Sequence, residues 1–306
     1  MKLQDTASNN LLTQQQIDDF GRQGFLMLPI PQIPGPELQW CRNVLMKLMT
    51  AGVGRDEGRY FDLVERDGGG EETSPQILKP SLYAKKLREF SYRETGLAVA
   101  RQLIGPTAAF VGDVAIFKPR ETGGRTPWHQ DEAFREANFD YDEVSIWIAL
   151  TDTTHENGPM AYIPGSHRLG ILPHRLQGGS HEANSIECCG GFEEGHAVVC
   201  PIPAGAMIIH HCRTVHGSLA NKTNAERLAY VLTYSTPIKL RKEYREFPWL
   251  DNLRKSVLNE RKVSLLRGGI FRELLRVFRS DRMVSRNAIV AFSLRRLNQL
   301  RHFFKF

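Results

Sequence analysis

Cysteine is scarce in this sequence and follows no pattern typical of a disulfide or a metal site. The 306 residues include five cysteines, an odd number, and no two of them form a C-x-x-C pair: Cys41, Cys188, Cys189, Cys200 and Cys212. We therefore expect neither a disulfide framework nor a structural zinc site. Cys188 and Cys189 are adjacent, but vicinal cysteines are strained partners, so we interpret them as small, semi-buried loop residues.

Long apolar runs are also missing. The sequence has no uninterrupted apolar stretch long enough to span a bilayer and no positively charged start followed by an apolar run. These absences predict a soluble, globular protein without a secretory signal, so the cytoplasm is the expected compartment. A hydrophobic content of 41% is enough for a sizeable core, arranged as one large domain or two small ones.

Nucleotide-binding signatures, internal repeats and a regular alternation of strands with helices are absent as well. Helical patterns near the start are followed by many short strand patterns separated by turn signals. This order predicts a mainly β protein with flanking helices. The core is an antiparallel sandwich or barrel, and a double-stranded β-helix, the cupin-like jelly roll, fits best.

Several local signals predict where helices and strands begin and end. Thr13 and Gln16 form a capping-box pattern that predicts a helix ending before Gly24. Further helical patterns cover residues 37–51 and 81–103, the second stopped by Gly105. Strands are expected at residues 25–28, 109–117, 144–151, 160–163, 197–201, 205–215 and 227–234.

Two stretches without strong periodicity are expected to be loops. Residues 170–195 carry few signals, and residues 52–80 are rich in Gly, Asp and Glu, with apolar periodicity only around residues 60–64. We interpret the second stretch as either a lid over a substrate site or a disordered insertion.

Positive charge is concentrated at the C-terminus. The net charge is +6, yet residues 241–306 hold 17 Lys and Arg against 6 Asp and Glu. We therefore divide the chain into a jelly-roll domain with N-terminal helices, residues 1–240, and a basic helical extension, residues 241–306, packed on the same domain. Apolar residues recur there at helical spacing: Ile270, Phe271, Leu274, Leu275 and Phe278, then Ile289, Val290, Leu294, Leu297 and Leu300.

The extension has two interpretations. Its helices either pack on the barrel or form an oligomer, or they present a basic amphipathic surface that recruits an anionic substrate, a carrier protein or a membrane peripherally. Nucleic acid is not the expected partner, because the basic residues are spread through apolar helical patterns without a recognised binding motif.

The strongest chemical signal is Thr-Pro-Trp-His-Gln-Asp at residues 126–131. On an extended strand His129 and Asp131 point the same way, and His216 is the best candidate for a third ligand. Two histidines and one carboxylate can hold one face of an octahedral iron(II) ion, leaving three positions that suit a bidentate 2-oxo acid and dioxygen. His210 and His211 compete with His216, since strict alternation places His210 on the same face.

An arginine lies close in sequence to the third ligand. Arg227 stands eleven residues after His216 and opens the apolar run at residues 228–234. Its planar guanidinium can clamp the far carboxylate of 2-oxoglutarate in bidentate fashion. The ordinary alternative is an edge-strand arginine paired with a surface acid.

Taken together and in order, these motifs resemble the phytanoyl-CoA dioxygenase family of iron(II)- and 2-oxoglutarate-dependent oxygenases. The resemblance covers residues 11–236. It rests on the pairs Leu12-Thr13 and Gly24-Phe25, residues 128–131, 147–152, 156–159 and 163–167, and His216-Gly217-Ser218 with Asn221 and Arg227.

The resemblance implies roles for individual residues. His129, Asp131 and His216 become the iron ligands, and Arg227 becomes the salt-bridge partner of the 2-oxoglutarate tail. Ser218 should donate a hydroxyl to the same tail, while Gln130 and Trp147 should line the cosubstrate pocket. The carboxylate at position 131 favours hydroxylation, because related halogenating enzymes have a small residue there.

The expected function is therefore an iron(II)- and 2-oxoglutarate-dependent dioxygenase. It would hydroxylate an unactivated carbon of a biosynthetic or lipid-like small molecule and release succinate and carbon dioxide. Lys118 and Phe134 are expected at the substrate entrance on position alone. The alternative is a non-catalytic member of the fold that binds a ligand or metal, and the intact set of ligands with Arg227 and Ser218 speaks against it.

Overall fold

Short antiparallel strands make up most of the fold. The structure, a computed structural model, describes residues 11–63, 72–179 and 184–250. Within them the helices are α1 (Gln14–Gln23), α2 (Gly35–Thr50) and α3 (Ser91–Ile104). The strands are β1 (Phe25–Leu28), β2 (Tyr60–Asp62), β3 (Pro75–Leu78), β4 (Ala109–Lys118), β5 (Thr126–His129), β6 (Phe139–Asp140), β7 (Glu143–Ala149), β8 (Met160–Tyr162), β9 (His174–Leu176), β10 (Ile186–Cys188), β11 (Val198–Cys200), β12 (Met207–His211), β13 (His216–Ser218), β14 (Arg227–Ser235) and β15 (Lys239–Leu240).

Two sheets face each other across the centre of the domain. The larger has the strand order β1-β12-β7-β14-β4-β3-β2, and the smaller has the order β11-β8-β13-β5. Side chains from both sheets share one buried cluster, in which Trp147 and Ile208 of the larger sheet meet Tyr162 of the smaller. This antiparallel two-sheet arrangement confirms the predicted jelly roll.

The helices cover the outer face of the larger sheet. Side chains alternate along β7, so that Trp147 faces the smaller sheet while Ile146 and Ile148 face outward. The outward residues join a large core cluster with Leu45 of α2 and Tyr92 of α3. The predicted flanking helices are thus confirmed, and they leave the inner face of the sheet free to hold a site.

The N-terminal helix follows its sequence signals closely. Thr13 and Gln16 form both bonds of the capping box, and Gly24 ends the helix in the left-handed region at a φ of 82°. The chain then enters β1, whose Phe25 pairs with His210 of β12. The start of the described chain is thereby attached to a central part of the fold.

The predicted helix over residues 81–103 is shorter in the structure. It begins at Ser91, because Ser81 is held elsewhere: its backbone N–H and hydroxyl donate to the Asp113 carboxylate at 3.0 Å each. Two short 3-10 helices, Pro80–Leu82 and Lys85–Arg88, fill the space before α3.

Both stretches predicted to be loops contain strands. β2 and β3 extend the larger sheet at its edge, with Ile77 paired to Tyr60 on one side and to Ala115 on the other. β9 and β10 form a hairpin in which Leu176 pairs with Ile186. The strands are only three or four residues long, too short to show a clear period. Residues 64–71 lie outside the described part, so the lid there stays a prediction.

The strand predicted over residues 205–215 is interrupted. β12 ends at His211, the chain crosses between sheets, and His216 opens β13 in the smaller sheet. The crossing is anchored because the Cys212 N–H donates to the Glu143 carbonyl at 2.9 Å, and the Cys212 carbonyl accepts from the Glu132 N–H at 3.0 Å. Strict alternation therefore does not run from His210 to His216.

The first ten residues of the predicted extension pack on the domain, and β15 before them pairs with β6. The helical patterns around residues 270–278 and 289–300 lie outside the described residues. Within residues 11–63, 72–179 and 184–250, no helix has the length and apolar character needed to cross a membrane.

Candidate active site

Three predicted metal ligands converge at the meeting point of β5 and β13. His129 and His216 are cross-strand neighbours in the smaller sheet. Their Nε2 atoms lie 3.7 Å and 3.6 Å from Oδ1 of Asp131. The three ligand atoms all fall within 4.8 Å of one another, a spacing that one metal ion between them can satisfy.

Each histidine is held so that Nε2 faces this centre. Nδ1 of His129 lies 2.8 Å from the Pro127 carbonyl, and Nδ1 of His216 lies 2.9 Å from the Thr214 carbonyl. A carbonyl can only accept, so Nδ1 carries the proton and Nε2 keeps its lone pair for a metal. Burial lowers the pKa of both rings, which keeps them neutral and ready to coordinate.

Asp131 is oriented through its second oxygen. Oδ2 accepts from the Ser145 hydroxyl at 3.0 Å and from Nε2 of His210 at 3.2 Å. His210 Nδ1 in turn accepts from the Tyr162 hydroxyl at 3.2 Å. These contacts leave Oδ1 directed at the two histidines. Burial alone would raise the pKa of Asp131, but the hydrogen bond that His210 Nε2 donates to Oδ2 acts against it, and the pKa lies well below its usual range.

His210 was the competing candidate for the third ligand, and the structure gives it a different place. It supports the carboxylate from the larger sheet, while His216 of the smaller sheet completes the cluster. The sequence signal for this role was weak, because it depends on Ser145 and His210 being paired across β7 and β12.

The two strands that carry the histidines approach each other closely at Gly217. A Cβ on this residue would lie 2.8 Å from the Thr126 carbonyl oxygen and 3.2 Å from that of Pro127. The pairing register also shifts at this point. Any side chain here would push β13 away from β5, so the Gly in His-Gly-Ser is needed for space.

A buried cationic region lies beside the cluster of His129, Asp131 and His216, on the inner face of the larger sheet. Arg227 is 1% exposed, and its guanidinium carbon stands 5.3 Å from the centre of the Trp147 ring. Nε and Nη1 of Arg227 and Nε1 of Trp147 have no hydrogen-bond acceptor among the described residues. Burial lowers the pKa of Arg227 to about 9. A buried cation with idle donors is costly unless an anion joins it.

Lys118 adds a second cation to this region. It pairs with Arg227 across β4 and β14, and it is fully buried. Its ammonium donates to the carbonyls of Leu219, at 2.9 Å, and Gly124. Burial and the nearby Arg227 lower its pKa well below the usual value. This differs from the expected place at a substrate entrance, because the side chain runs into the fold and anchors two loops.

Ser218 and Phe134, two further residues predicted at the site, make different contacts. Ser218 is buried on β13, the strand of His216, and its hydroxyl donates to the Thr126 hydroxyl at 2.8 Å. Phe134 lies edge-on to His129, with ring centres 5.9 Å apart, as a wall residue would.

Gln130 differs from the expectation. Its amide donates to the carbonyls of Gly170 and Arg213 and accepts from the Leu172 N–H, at 2.6 to 2.8 Å. Since it lies between His129 and Asp131, alternation turns it to the opposite side. It binds three backbone segments together and has no group left for a cosubstrate.

A further buried histidine, His174 of β9, contacts the backbone of Gln130, and no motif in the sequence indicated it. It is 7% exposed, and its Nε2 accepts from the Gln130 N–H at 3.3 Å. Burial lowers its pKa to about 4, so it stays a neutral acceptor. The missing signal was β9 itself, which lies in a stretch without clear periodicity.

A jelly roll with two histidines and one carboxylate on its inner wall, beside a buried unpaired arginine, defines the class of iron(II)- and 2-oxoglutarate-dependent oxygenases. The family model for phytanoyl-CoA dioxygenase matches residues 22–229. The chain belongs to the phytanoyl-CoA dioxygenase family. The resemblance predicted from the motifs is confirmed, and with it, at the level of the family, the enzyme class and the cofactors iron(II), 2-oxoglutarate and dioxygen.

Known proteins of several kinds are similar to this chain. A probable alpha-ketoglutarate-dependent hypophosphite dioxygenase from Stutzerimonas stutzeri is 27% identical over 195 residues, 62% of this chain and 66% of that protein. Ectoine dioxygenase from Halomonas elongata is 28% identical over 238 residues, 73% of this chain and 70% of that protein. The match spans 45% to 70% of the length of the curated relatives.

Solved structures share the fold. The crystal structure of EvdO2 from Micromonospora carbonacea var. aurantiaca complexed with 2-oxoglutarate superposes with a TM-score of 0.67 at 26% identity. The match covers 78% of this chain and 96% of that one. The resemblance to a 2-oxoglutarate complex agrees with the Arg227 N–H groups that lack acceptors among the described residues.

Proposed function

We propose that this chain is an iron(II)- and 2-oxoglutarate-dependent dioxygenase in which His129, Asp131 and His216 hold the metal. The observation that carries the proposal is the convergence of two neutral imidazoles and a carboxylate oxygen within 4.8 Å on the inner wall of the jelly roll. Two imidazole nitrogens and one carboxylate oxygen form a ligand set that suits iron(II). Bound iron would supply the oxidative chemistry, in which dioxygen is the oxidant: one oxygen atom enters the succinate formed with carbon dioxide from 2-oxoglutarate, and the other oxidises the substrate.

Arg227 is assigned to the far carboxylate of 2-oxoglutarate. Two of its buried N–H groups and the indole N–H of Trp147 lack acceptors among the described residues, and a carboxylate supplies acceptors for them. Ser218 can add its hydroxyl by turning away from Thr126. Lys118 lies opposite Arg227 and adds positive potential without needing to touch the ligand. One dianionic cosubstrate would offset both buried charges.

The reaction assigned to the site is hydroxylation of an unactivated carbon in a biosynthetic or lipid-like small molecule. The carboxylate at position 131 supports hydroxylation, since it fills a coordination position that would otherwise be open to a halide. Phe134 beside His129 supports a substrate with apolar surface. The names of the relatives give hypophosphite, ectoine and phytanoyl-CoA, which share no chemical scaffold. The relatives therefore support the assignment of 2-oxoglutarate more than they support any one substrate.

The substrate is proposed to be a small molecule, anionic or carried by a partner. The net positive charge of residues 241–306 supports an anionic character. Contact of the extension with a membrane surface, or with a second copy of the chain, stays a prediction, because the chain beyond Leu250 lies outside the described residues.

An anaerobic titration tests the proposal. Apo protein supplied with iron(II) and 2-oxoglutarate should develop a weak visible charge-transfer band, and admission of air should release succinate even without substrate. Asp131→Ala should lose both signals. Asp142→Ala is the matched control, because this half-exposed carboxylate lies 3.5 Å from His211 Nε2 and is not one of the three residues of the cluster. Wild-type protein that shows neither signal would leave the non-catalytic alternative standing.

A further inference from the structure

The segment that follows β14 reaches the residues around Asp131. We call residues 239–250 the C-terminal strap. Its first part pairs with β6, through Lys239 opposite Asp140 and Leu240 opposite Phe139. Its last part buries Phe247 and Leu250 in a small cluster with Ala137. The strap is thus attached to the loop that begins at the metal cluster.

Arg245 connects the strap to the residue next to Asp131. Its Nη2 donates to Oε1 of Glu132 at 2.8 Å, and its Nε donates to the Ala137 carbonyl at 2.8 Å. Glu132 is 2% exposed, so Arg245 takes the place that water would have at Oε1. The other arginine in reach, Arg213, stands at 3.5 Å from Oε2 and forms no hydrogen bond through that nitrogen.

Trp249 makes a second connection on the same turn. Its indole N–H donates to the Ala133 carbonyl at 2.9 Å. Its ring lies 5.2 Å from that of His174, the residue that accepts the Gln130 N–H. Through these contacts the strap reaches residues on both sides of Asp131.

Asp131 itself begins a 3-10 turn, Asp131–Phe134, rather than lying within β5. The direction of its carboxylate therefore depends on how this turn sits. The turn has two backbone bonds of its own, from the Ala133 N–H to the Gln130 carbonyl and from the Arg135 N–H to the Glu132 carbonyl. Further contacts come from Cys212, His174 and the strap. A short 3-10 turn with few bonds of its own does not hold a side chain rigidly.

We propose that Arg245 and Trp249 of the C-terminal strap are positioning residues for the metal site. They fix the turn that presents Asp131 to His129 and His216, so the strap is part of the machinery that binds iron. The inference rests on the proposed role of Asp131 as a metal ligand. It assigns a function to residues that come after the jelly-roll strands, in a part of the chain that the family model does not cover.

Cobalt(II) titration of the full-length apo protein tests the inference, since the ligand-field spectrum reports the geometry of the site without any turnover. Arg245→Ala and Trp249→Phe should each weaken cobalt binding by about tenfold or more and alter the visible bands. Trp249→Phe removes the N–H donor and keeps an aromatic, though smaller, ring against Phe247 and His174. Arg245→Lys should recover part of the affinity, because it returns a cation to Glu132.

Arg241→Ala is the matched control. Arg241 belongs to the same strap and pairs with Asp140, but it makes no bond to residues 131–134. It should bind cobalt like the wild type. Chemical unfolding of each apo variant, measured alongside, shows whether the domain is intact.

The outcomes separate two failures. The proposed metal site would be refuted if the wild-type protein did not bind cobalt, or if Asp131→Ala bound cobalt as tightly as the wild type. If the wild type binds but Arg245→Ala and Trp249→Phe match it within twofold, the strap has no positioning role. A loss of affinity as large in Arg241→Ala as in Arg245→Ala would also overturn the inference, because it would trace the effect to strap docking in general.

Discussion

Replacing Arg227 with Met should make the apo protein more stable. Burial lowers the pKa of this guanidinium from 12.5 to about 9, which corresponds to a charging penalty of about 5 kcal/mol in the folded state. Met has similar length and no charge, and replacing buried charges with apolar groups commonly gains about 1–4 kcal/mol. We expect a gain of about 1–4 kcal/mol in the free energy of unfolding. It is smaller than the full charging penalty, because the contacts of the guanidinium with Trp147 are lost at the same time.

The pH dependence of the gain has a definite sign. The folded pKa lies below the unfolded one, so between about 9 and 12.5 the unfolded chain binds more protons and wild-type stability rises with pH. The advantage of Arg227→Met should be complete below pH 9 and shrink above it. Urea unfolding of both apo proteins at pH 7.5 and pH 10 measures the two differences.

Adding 2-oxoglutarate should reverse the order of stability. Ligand binding to the folded state raises the melting temperature of the wild type, whereas Arg227→Met loses the cation that receives the far carboxylate. Arg93→Met is the control, since Arg93 also has buried N–H groups without acceptors in the described part of the chain but stacks on Phe110 of β4. An apo Arg227→Met protein that is less stable than the wild type, or that is stabilised by 2-oxoglutarate to the same extent, would refute the reasoning.

Three further predictions concern stability and metal binding. His210→Phe removes the 3.2 Å bond to Oδ2 of Asp131 and should weaken cobalt binding by about 10–100-fold, measured by titration; unchanged affinity would contradict the support role. Gly217→Ala places a Cβ 2.8 Å from the Thr126 carbonyl and should cost about 1–3 kcal/mol in urea unfolding together with metal affinity; a neutral variant would show that β5 and β13 can separate freely. Tyr230→Phe removes the 2.7 Å bond to Asp113 and should cost about 1.5–3 kcal/mol of stability with cobalt binding unchanged.

The parts of the fold that the sequence predicted well are those with local signals. The capping box at Thr13, the stop at Gly24 and the long apolar strands β4 and β14 all appear close to their predicted bounds. Their hydrogen-bonding and packing needs are visible within a few residues. The strands β2, β3, β9 and β10 were missed because each has only three or four residues and gains its stability from pairing with another strand, which no short window of sequence shows.

In the candidate site, neighbouring residues differ in how well their positions were predicted. His129 and Asp131 were placed together by a two-residue spacing, and the structure brings them to one centre. Gln130 between them was assigned to the pocket by resemblance, but it points away and binds three backbone groups. Alternation, a purely local rule, would have given the correct side for all three residues.

The carboxylate ligand depends on long-range structure more than the histidines do. Each histidine is oriented by a carbonyl only two residues before it, at Pro127 and at Thr214. Asp131 instead depends on Ser145, 14 residues away, on His210, 79 residues away, and on a turn whose next residue, Glu132, is bound by Arg245, 113 residues from Glu132. A short motif therefore fixes the pose of the histidines but not that of the acid. It follows that disturbances far from the centre, in β12 or in the strap, should reach the metal through Asp131 before they affect either imidazole.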